Sequence, residues 1–134
     1  MVSVSENHKC LRNYMERKNN MKYEKNIADY LLIFRRWNHL TQSDCGNMIG
    51  HSFQQWQKYE KGANEMKAAK LLECARKFNN KNYLFDMNAV MTLTPAQYLE
   101  KLGTQHNYPP LYHILRKKLS LDNASVSSSN EGIK

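Results

Sequence analysis

The sequence has 134 residues, of which 41% are hydrophobic and 24% are charged, so one compact domain with tails is expected and wholesale disorder is excluded. No apolar run approaches the roughly 20 residues that span a bilayer. Lys and Arg number 20 against 12 Asp and Glu, and the net charge of +8 favours a polyanionic partner, with nucleic acid ahead of an acidic membrane surface.

Both ends of the chain are polar, and a helical pattern lies between them. Residues 1–22, rich in Asn and Lys, predict a flexible basic arm, and residues 120–134, rich in Ser and Asn, predict a disordered tail. The first helix is indicated by apolar residues at positions i, i+3, i+4 and i+7 of one helical face. These residues are Ile27, Tyr30, Leu31 and Phe34.

The next segment predicts two short helices around a glycine turn. Thr41, followed three residues later by Asp44, is typical of a helix N-cap. Gly50 can end that helix because glycine accepts the left-handed conformation, and Ser52 and Gly62 can delimit a second helix in the same way. Such a pair is the core of a helix-turn-helix. The predicted helices cover 42–49 and 53–61.

Two further helices are predicted to complete a domain over residues 23–90. Asn64 is the expected N-cap of the fourth helix, with Glu65 in the first turn, where a carboxylate favours the helix dipole. The apolar stretch 83–85 is the expected fifth helix. The predicted buried face of the fourth helix consists of Ala68, Leu71, Leu72, Ala75 and Phe78.

Residues 91–119 predict a helical extension. Thr94, Pro95 and Gln97 form a typical helix start, and that helix is expected to stop at Gly103. A last helix begins at Pro110, and its apolar face is predicted to hold Leu111, Ile114, Leu115 and Leu119. The apolar faces of these two helices leave two alternatives open. They can pack onto their own domain, or they can form a homodimer interface.

The segment 40–62, LTQSDCGNMIGHSFQQWQKYEKG, resembles the helix-turn-helix of the Xre family, which includes the lambdoid phage repressors and Cro. The flanking patterns extend the resemblance over about residues 24–88. It implies an all-α, five-helix repressor-like bundle whose third helix enters the DNA major groove. The matching features are Leu40-Thr41-Gln42, Gly50, Ser52 and Tyr59-Glu60-Lys61-Gly62.

The resemblance also implies which side chains meet the DNA bases. A glutamine amide can donate and accept together, which matches adenine N6 and N7. Lys58 can donate to guanine or to a phosphate, and Phe53 can contact a thymine methyl, unless it is a partly buried packing residue instead. The implied base-contacting residues are Phe53, Gln54, Gln57 and Lys58.

Phosphate contacts are expected to frame that helix and to set its register without reading sequence. Ser52 and Asn64 can equally be plain N-caps, and Lys61 can simply be solvated. The implied phosphate-contacting residues are Gln42, Ser52, Lys61 and Asn64.

The resemblance further implies a structural salt bridge between Arg35 and Glu60, which occupy positions that are paired and partly buried in the phage repressors. Among the residues that depart from the family pattern, three lie in the predicted helices. Trp56 stands where an aliphatic residue is usual, and Cys45 replaces a common Leu. Gly46 replaces the usual Ala, at a cost of about 0.5–1 kcal/mol in helix propensity. Small residues at 45 and 46 would make room for the indole.

The remaining motifs argue against catalysis and secretion. The five histidines have no HExxH spacing, and the chain has no CxxC, Walker A loop or GxGxxG, so no enzyme activity, metal or cofactor is predicted. The N-terminus lacks the apolar segment of a secretory signal. Three scattered cysteines, Cys10, Cys45 and Cys74, favour a reducing cytoplasm.

Taken together, these features predict a cytoplasmic, nucleoid-associated bacterial transcription regulator of the Xre type. It would bind double-stranded operator DNA as a homodimer on an inverted repeat, with no membrane partner. One alternative is an antitoxin that autoregulates through the same domain and holds a protein partner with residues 92–119 or with a tail. Another alternative is a protein-interaction module that has lost base readout.

Overall fold

The computed structural model describes Leu11 and residues 23–120, so the predicted arm and tail lie outside the described residues, except for Leu11 and Ser120. Residues 23–120 form seven α-helices and contain no strand. The helices are α1 (23–37), α2 (Gln42–Met48), α3 (Phe53–Lys61), α4 (Ala68–Asn80), α5 (Met87–Thr92), α6 (Pro95–Gln105) and α7 (Pro110–Lys118). The predicted all-helical class is therefore confirmed for this part of the chain.

Helix α1 lies between two hydrophobic clusters. Leu31 and Phe34 belong to the cluster formed with α2, α3 and α4. Tyr30 and Ile33 belong to a second cluster, formed with α5, α6 and α7. The sequence predicted a single buried face that held Tyr30 together with Leu31. The helix instead buries two faces, because the C-terminal helices cover the side that the helix-turn-helix leaves open.

The start and end signals of α2 and α3 are where the sequence predicted them. The Thr41 hydroxyl accepts from the Asp44 amide, and the Asp44 carboxylate accepts from the Thr41 amide, which completes a capping box. Hydrogen bonding of the Asp44 carboxylate to the Thr41 backbone amide, and to the Thr41 side chain, lowers the pKa of Asp44. Ser52 caps α3 through the Gln55 amide. Gly50 and Gly62 both have positive φ, at 72° and 73°.

Helix α4 begins later than predicted, and its buried face is narrower. Asn64 is not its N-cap; Lys67 stands at that position and makes no side-chain cap bond. The chain before it is drawn inward because Met66 is buried and its sulfur lies 3.9 Å from the Cys74 sulfur. Of the five residues predicted to be buried on α4, Leu71, Ala75 and Phe78 are buried, whereas Ala68 and Leu72 are exposed.

The predicted fifth helix at 83–85 is wrong. The Asn79 side chain accepts from the Phe85 amide at 2.8 Å and donates to the Phe85 carbonyl at 3.3 Å, which holds this segment outside any helix. Phe85 then packs against Phe34 with ring centroids 5.0 Å apart. The fifth helix begins instead at Met87, where the Asp86 carboxylate accepts from the Ala89 amide.

The C-terminal helices pack onto their own chain. Thr94 and Gln97 form the predicted capping box of α6, but α6 continues past Gly103 to Gln105. A Cβ at Gly103 would lie 2.7 Å from the Tyr112 ring, so this glycine admits α7 rather than ending α6. On α7 the buried residues are Tyr112 and Leu115, whereas Ile114 is 52% exposed, against the prediction.

The boundary predicted after residue 90 falls inside α5, and α5, α6 and α7 share one core with α1. Of the two alternatives for the apolar stripes of residues 91–119, intrachain packing accounts for the buried residues of both α6 and α7. The homodimer stays a prediction, and these buried side chains do not supply its interface.

Gly46 lets α2 approach the start of α3 closely. A Cβ at this position would lie 2.8 Å from the His51 carbonyl oxygen and 2.9 Å from the Ser52 carbonyl oxygen. Both atoms belong to the backbone of the turn, and the His51 amide also donates to the Gly46 carbonyl at 2.8 Å. The space at Gly46 is therefore occupied by the turn and not, as the sequence suggested, by the Trp56 indole.

We expect Gly46→Ala to destabilise the protein by about 1–3 kcal/mol, because the added methyl must push the turn away from α2. Helix propensity alone predicts the opposite sign, a gain of about 0.5–1 kcal/mol. Urea unfolding followed by circular dichroism measures the difference. The exposed neighbour gives a control, since Asn47→Ala adds no contact with the turn. A Gly46→Ala protein as stable as the wild type would contradict the close packing.

Candidate nucleic-acid interface

The outer face of α3 carries the side chains that the sequence assigned to DNA. Phe53, Gln54, Lys58 and Lys61 are exposed, and Gln57 is half-buried. Their spacing of i, i+1, i+4, i+5 and i+8 places them on one side of the helix. Within residues 23–120 their side chains make no hydrogen bond or ion pair, so their polar groups are available to a ligand.

Phe53 belongs to this face rather than to the core. It is 40% exposed and belongs to neither hydrophobic cluster, so its ring can reach a ligand, and the alternative of a partly buried packing residue stays open. An exposed aromatic ring cannot form specific hydrogen bonds, but it can cover an apolar group such as the thymine methyl. The face therefore combines amide, ammonium and apolar chemistry within a single helix.

The last turn of α3 is anchored by the carboxylate of Glu60. The Arg35 guanidinium donates to both carboxylate oxygens, with Nε–Oε2 at 2.5 Å and Nη2–Oε1 at 3.1 Å. Only 11% of the Arg35 side chain and 5% of the Glu60 side chain are exposed. Arg35 also donates to the Leu40 carbonyl at 3.0 Å. The pair thus connects the end of α3 to α1 and to the chain that leads into α2.

Two more donors complete the shell around Glu60, and the sequence reasoning missed both. The Trp56 indole Nε1 donates to Oε2, and the Gln42 amide donates to Oε1 at 3.2 Å. A four-residue spacing between Trp56 and Glu60 on one helix was a usable signal for the first contact. The second contact joins α2 to α3 across the turn, and no local pattern predicts it.

Trp56 fills the core beneath α3. Its side chain is fully buried and meets the Phe78 ring edge-on, with centroids 5.9 Å apart. The indole also gains a hydrogen-bond partner in Glu60, as a buried Trp N–H needs. The tryptophan that stands in place of the usual aliphatic residue is therefore well packed, and its N–H group is hydrogen-bonded.

The residues assigned to phosphate contacts are placed around the ends of α2 and α3. Gln42 is the first residue of α2, and its Nε2 carries a second hydrogen besides the one directed at Glu60. Ser52 is an N-cap, as its alternative reading held, and its hydroxyl hydrogen remains available. Lys61 is the last residue of α3, and Asn64 follows two residues after the Gly62 C-cap.

Two basic side chains near Gln42 were not singled out from the sequence. Arg36 at the end of α1 and Lys118 at the end of α7 line one open groove together with Gln42. The charges of Arg36 and Lys118 were visible in the sequence, but only the packing of α7 on α1 brings them together.

Other kinds of site find little support in the described residues. No group of three His, Cys, Asp or Glu side chains there is arranged to hold a metal ion. Cys45 and Cys74 are buried, and burial raises the pKa of each thiol to about 12. Such thiols stay protonated near neutral pH and are poor nucleophiles. None of the helices described is both long and apolar enough to cross a membrane.

The chain is similar to two curated proteins of Sinorhizobium fredii (strain NBRC 101917 / NGR234). It is 38% identical over 78 residues to the uncharacterized HTH-type transcriptional regulator y4wC, covering 57% of this chain and 52% of that protein. It is 51% identical over 37 residues to the uncharacterized HTH-type transcriptional regulator y4aM, covering 28% of this chain and 26% of that protein. The chain thus spans about half and about a quarter of these relatives.

No protein-family model matches the chain, and no solved structure matches it significantly. The names of both relatives agree with the helix-turn-helix pair α2 and α3. Both are named as regulators and neither as an enzyme. The fold and the relatives together support a helix-turn-helix protein.

We expect Arg35→Ala to lower the free energy of unfolding by about 3–5 kcal/mol, because it leaves the Glu60 carboxylate buried without its cation. The loss should appear as a lower thermal midpoint before any change in DNA sequence preference. Thermal unfolding followed by circular dichroism tests this.

The double variant Arg35→Met with Glu60→Gln is the matched control for that experiment. It removes both charges and keeps an amide oxygen for Trp56 and Gln42, so it should recover part of the lost stability. An Arg35→Ala protein with an unchanged melting temperature would show that the pair has no structural role.

Proposed function

We propose that this chain is a bacterial transcription regulator of the Xre type that binds double-stranded DNA sequence-specifically and acts by occupying an operator. The proposal rests on the outer face of α3. Five side chains there are suited to base and phosphate contacts and make no hydrogen bond or ion pair within residues 23–120. The helix-turn-helix names of the two relatives support the same class of activity. In this proposal α3 lies in the major groove.

The division of roles follows from chemistry and position. Gln54 and Gln57 can form paired hydrogen bonds with adenine, Lys58 can donate to guanine or phosphate, and Phe53 can cover a thymine methyl. Phosphate contacts on either side of these base-contacting residues would fix the register of α3 on the DNA. The residues proposed for them are Gln42, Ser52, Lys61 and Asn64. The Glu60 anchor makes this geometry rigid, so little ordering cost remains to be met on binding.

We further propose that two copies bind an inverted repeat with half-sites about one helical turn, roughly 34 Å, apart. The interface would have to use surface other than the buried stripes of α6 and α7. The antitoxin alternative assigned a protein partner to residues 92–119. Tyr112 and Leu115 are buried against α1, so a partner held by residues 92–119 would have to use their exposed surface.

The direct test is selection of bound duplexes from a random pool at about physiological salt, followed by sequencing. We expect an inverted repeat with half-sites near one turn apart to be enriched. An unrepeated motif would support sequence-specific binding by a monomer and overturn the dimer. Salt-sensitive binding without enrichment would contradict operator recognition, because charge alone gives affinity that is independent of sequence.

Two substitutions on α3 separate base readout from charge. Gln54→Ala should weaken binding to the selected duplex by about 1–3 kcal/mol and hardly change binding to a random duplex. Lys61→Ala should weaken binding to both duplexes and make the salt dependence shallower by about one unit. Fluorescence anisotropy titrations at several salt concentrations measure both effects. Equal losses on the two duplexes for Gln54→Ala would remove it from the base readers.

A further inference from the structure

An open groove of about 540 Å³ lies where α1 ends, α2 begins and α7 ends. We call its polar part the basic corner, defined as Arg36, His39, Gln42 and Lys118. Leu111 supplies an apolar wall from the first turn of α7. The groove therefore joins the helix-turn-helix to the C-terminal helices on one surface.

The basic corner is positively charged, because no Asp or Glu among the described residues lines the groove and the Arg35 guanidinium at its edge is already paired with Glu60. Within residues 23–120 neither Arg36 nor Lys118 has a carboxylate partner. Some lysines elsewhere in the described chain do have such a partner. Lys70 pairs with Glu73 and Lys101 with Asp86.

The corner is held in place by the second core. Tyr112 and Leu115 are buried against α1, and the Tyr112 hydroxyl donates to the Glu100 carboxylate at 2.5 Å. Arg116 donates to that hydroxyl at 2.6 Å and also lies 3.5 Å from the Glu100 carboxylate, which ties the end of α7 to α6. Lys118 lies in the same last turn and is exposed. Its backbone is thus fixed while its ammonium group remains free to move toward an anion.

We propose that Lys118 and Arg36 bind phosphates of the DNA backbone next to the one assigned to Gln42, so that α7 is part of the DNA-binding surface. This inference rests on the proposed function, because it uses the docking of α2 and α3 on the duplex. Gln42 lies in the same groove, so a strand that passes its amide also passes the basic corner. Ammonium and guanidinium groups there add affinity and register without adding base readout.

The test compares Lys118→Ala with Lys117→Ala in the full chain. Both residues are exposed lysines in the last turn of α7, but only Lys118 lines the groove. Binding to a selected duplex and to a random duplex is measured by anisotropy across a fourfold range of salt. Lys118→Ala should make the log–log salt slope shallower by about one unit on both duplexes. The fourfold rise in salt should then weaken the wild type about 3.5-fold more than this variant.

Lys117→Ala should keep the wild-type slope, and the double variant Arg36→Gln with Lys118→Ala should lose about two units. An unchanged slope for Lys118→Ala would overturn the inference and leave the proposed function standing. So would an equal loss for Lys117→Ala, since that would report overall charge. A wild type that binds no duplex would overturn both.

Discussion

The carboxylate of Glu60 holds helices α1, α2 and α3 in one arrangement. It accepts hydrogen bonds from α1 through Arg35, from α2 through Gln42 and from its own helix through Trp56. A buried carboxylate is costly unless it is paired and fully hydrogen-bonded, so each donor constrains the position of the others. The angle at which α3 presents its outer face follows from this constraint. Gly46 contributes by letting the turn approach α2.

The second constraint is the position of α1 between two cores. One side packs under the helix-turn-helix through Leu31 and Phe34, and the other side packs under α6 and α7 through Tyr30 and Ile33. Any movement of the C-terminal helices would therefore disturb the helix that carries Arg35. This coupling makes the extension a structural part of the proposed DNA-binding unit. The same packing brings Lys118 beside Gln42.

The charge pattern of the described surface fits these structural relations. Acidic side chains are largely engaged: Glu60 anchors α3, Asp44 caps α2, and Glu100 joins α6 to α7. Accepting hydrogen bonds from Tyr112 and Tyr108 lowers the pKa of Glu100, so it stays charged to lower pH than a glutamate without these donors. The lysines of α3 and the basic corner have no such partners in residues 23–120. The net positive charge is thus available where the proposed contacts to DNA lie.

Local sequence determined the elements whose signals act within a few residues. The capping boxes at Thr41 and Thr94 and the positive-φ positions of Gly50 and Gly62 were predictable, because a side chain that bonds the next turn needs no distant partner. The outer face of α3 was predictable for a similar reason. Its helical spacing, together with the resemblance to a known motif, placed the candidate base-contacting residues on one face of α3 before any tertiary contact was known.

Tertiary structure decided what depends on partners far along the chain. The Asn79 side chain accepts a hydrogen bond from the Phe85 amide, so the segment 83–85 is not the predicted helix. Met66 is buried against Cys74, and α4 begins later than predicted. Gly103 resembled a helix end but admits the ring of Tyr112. Helix packing decides which polar groups meet at Glu60 and which lysine of α7 lies beside α2. Helical periodicity could not predict these contacts, because it shows only which residues share a face of one helix.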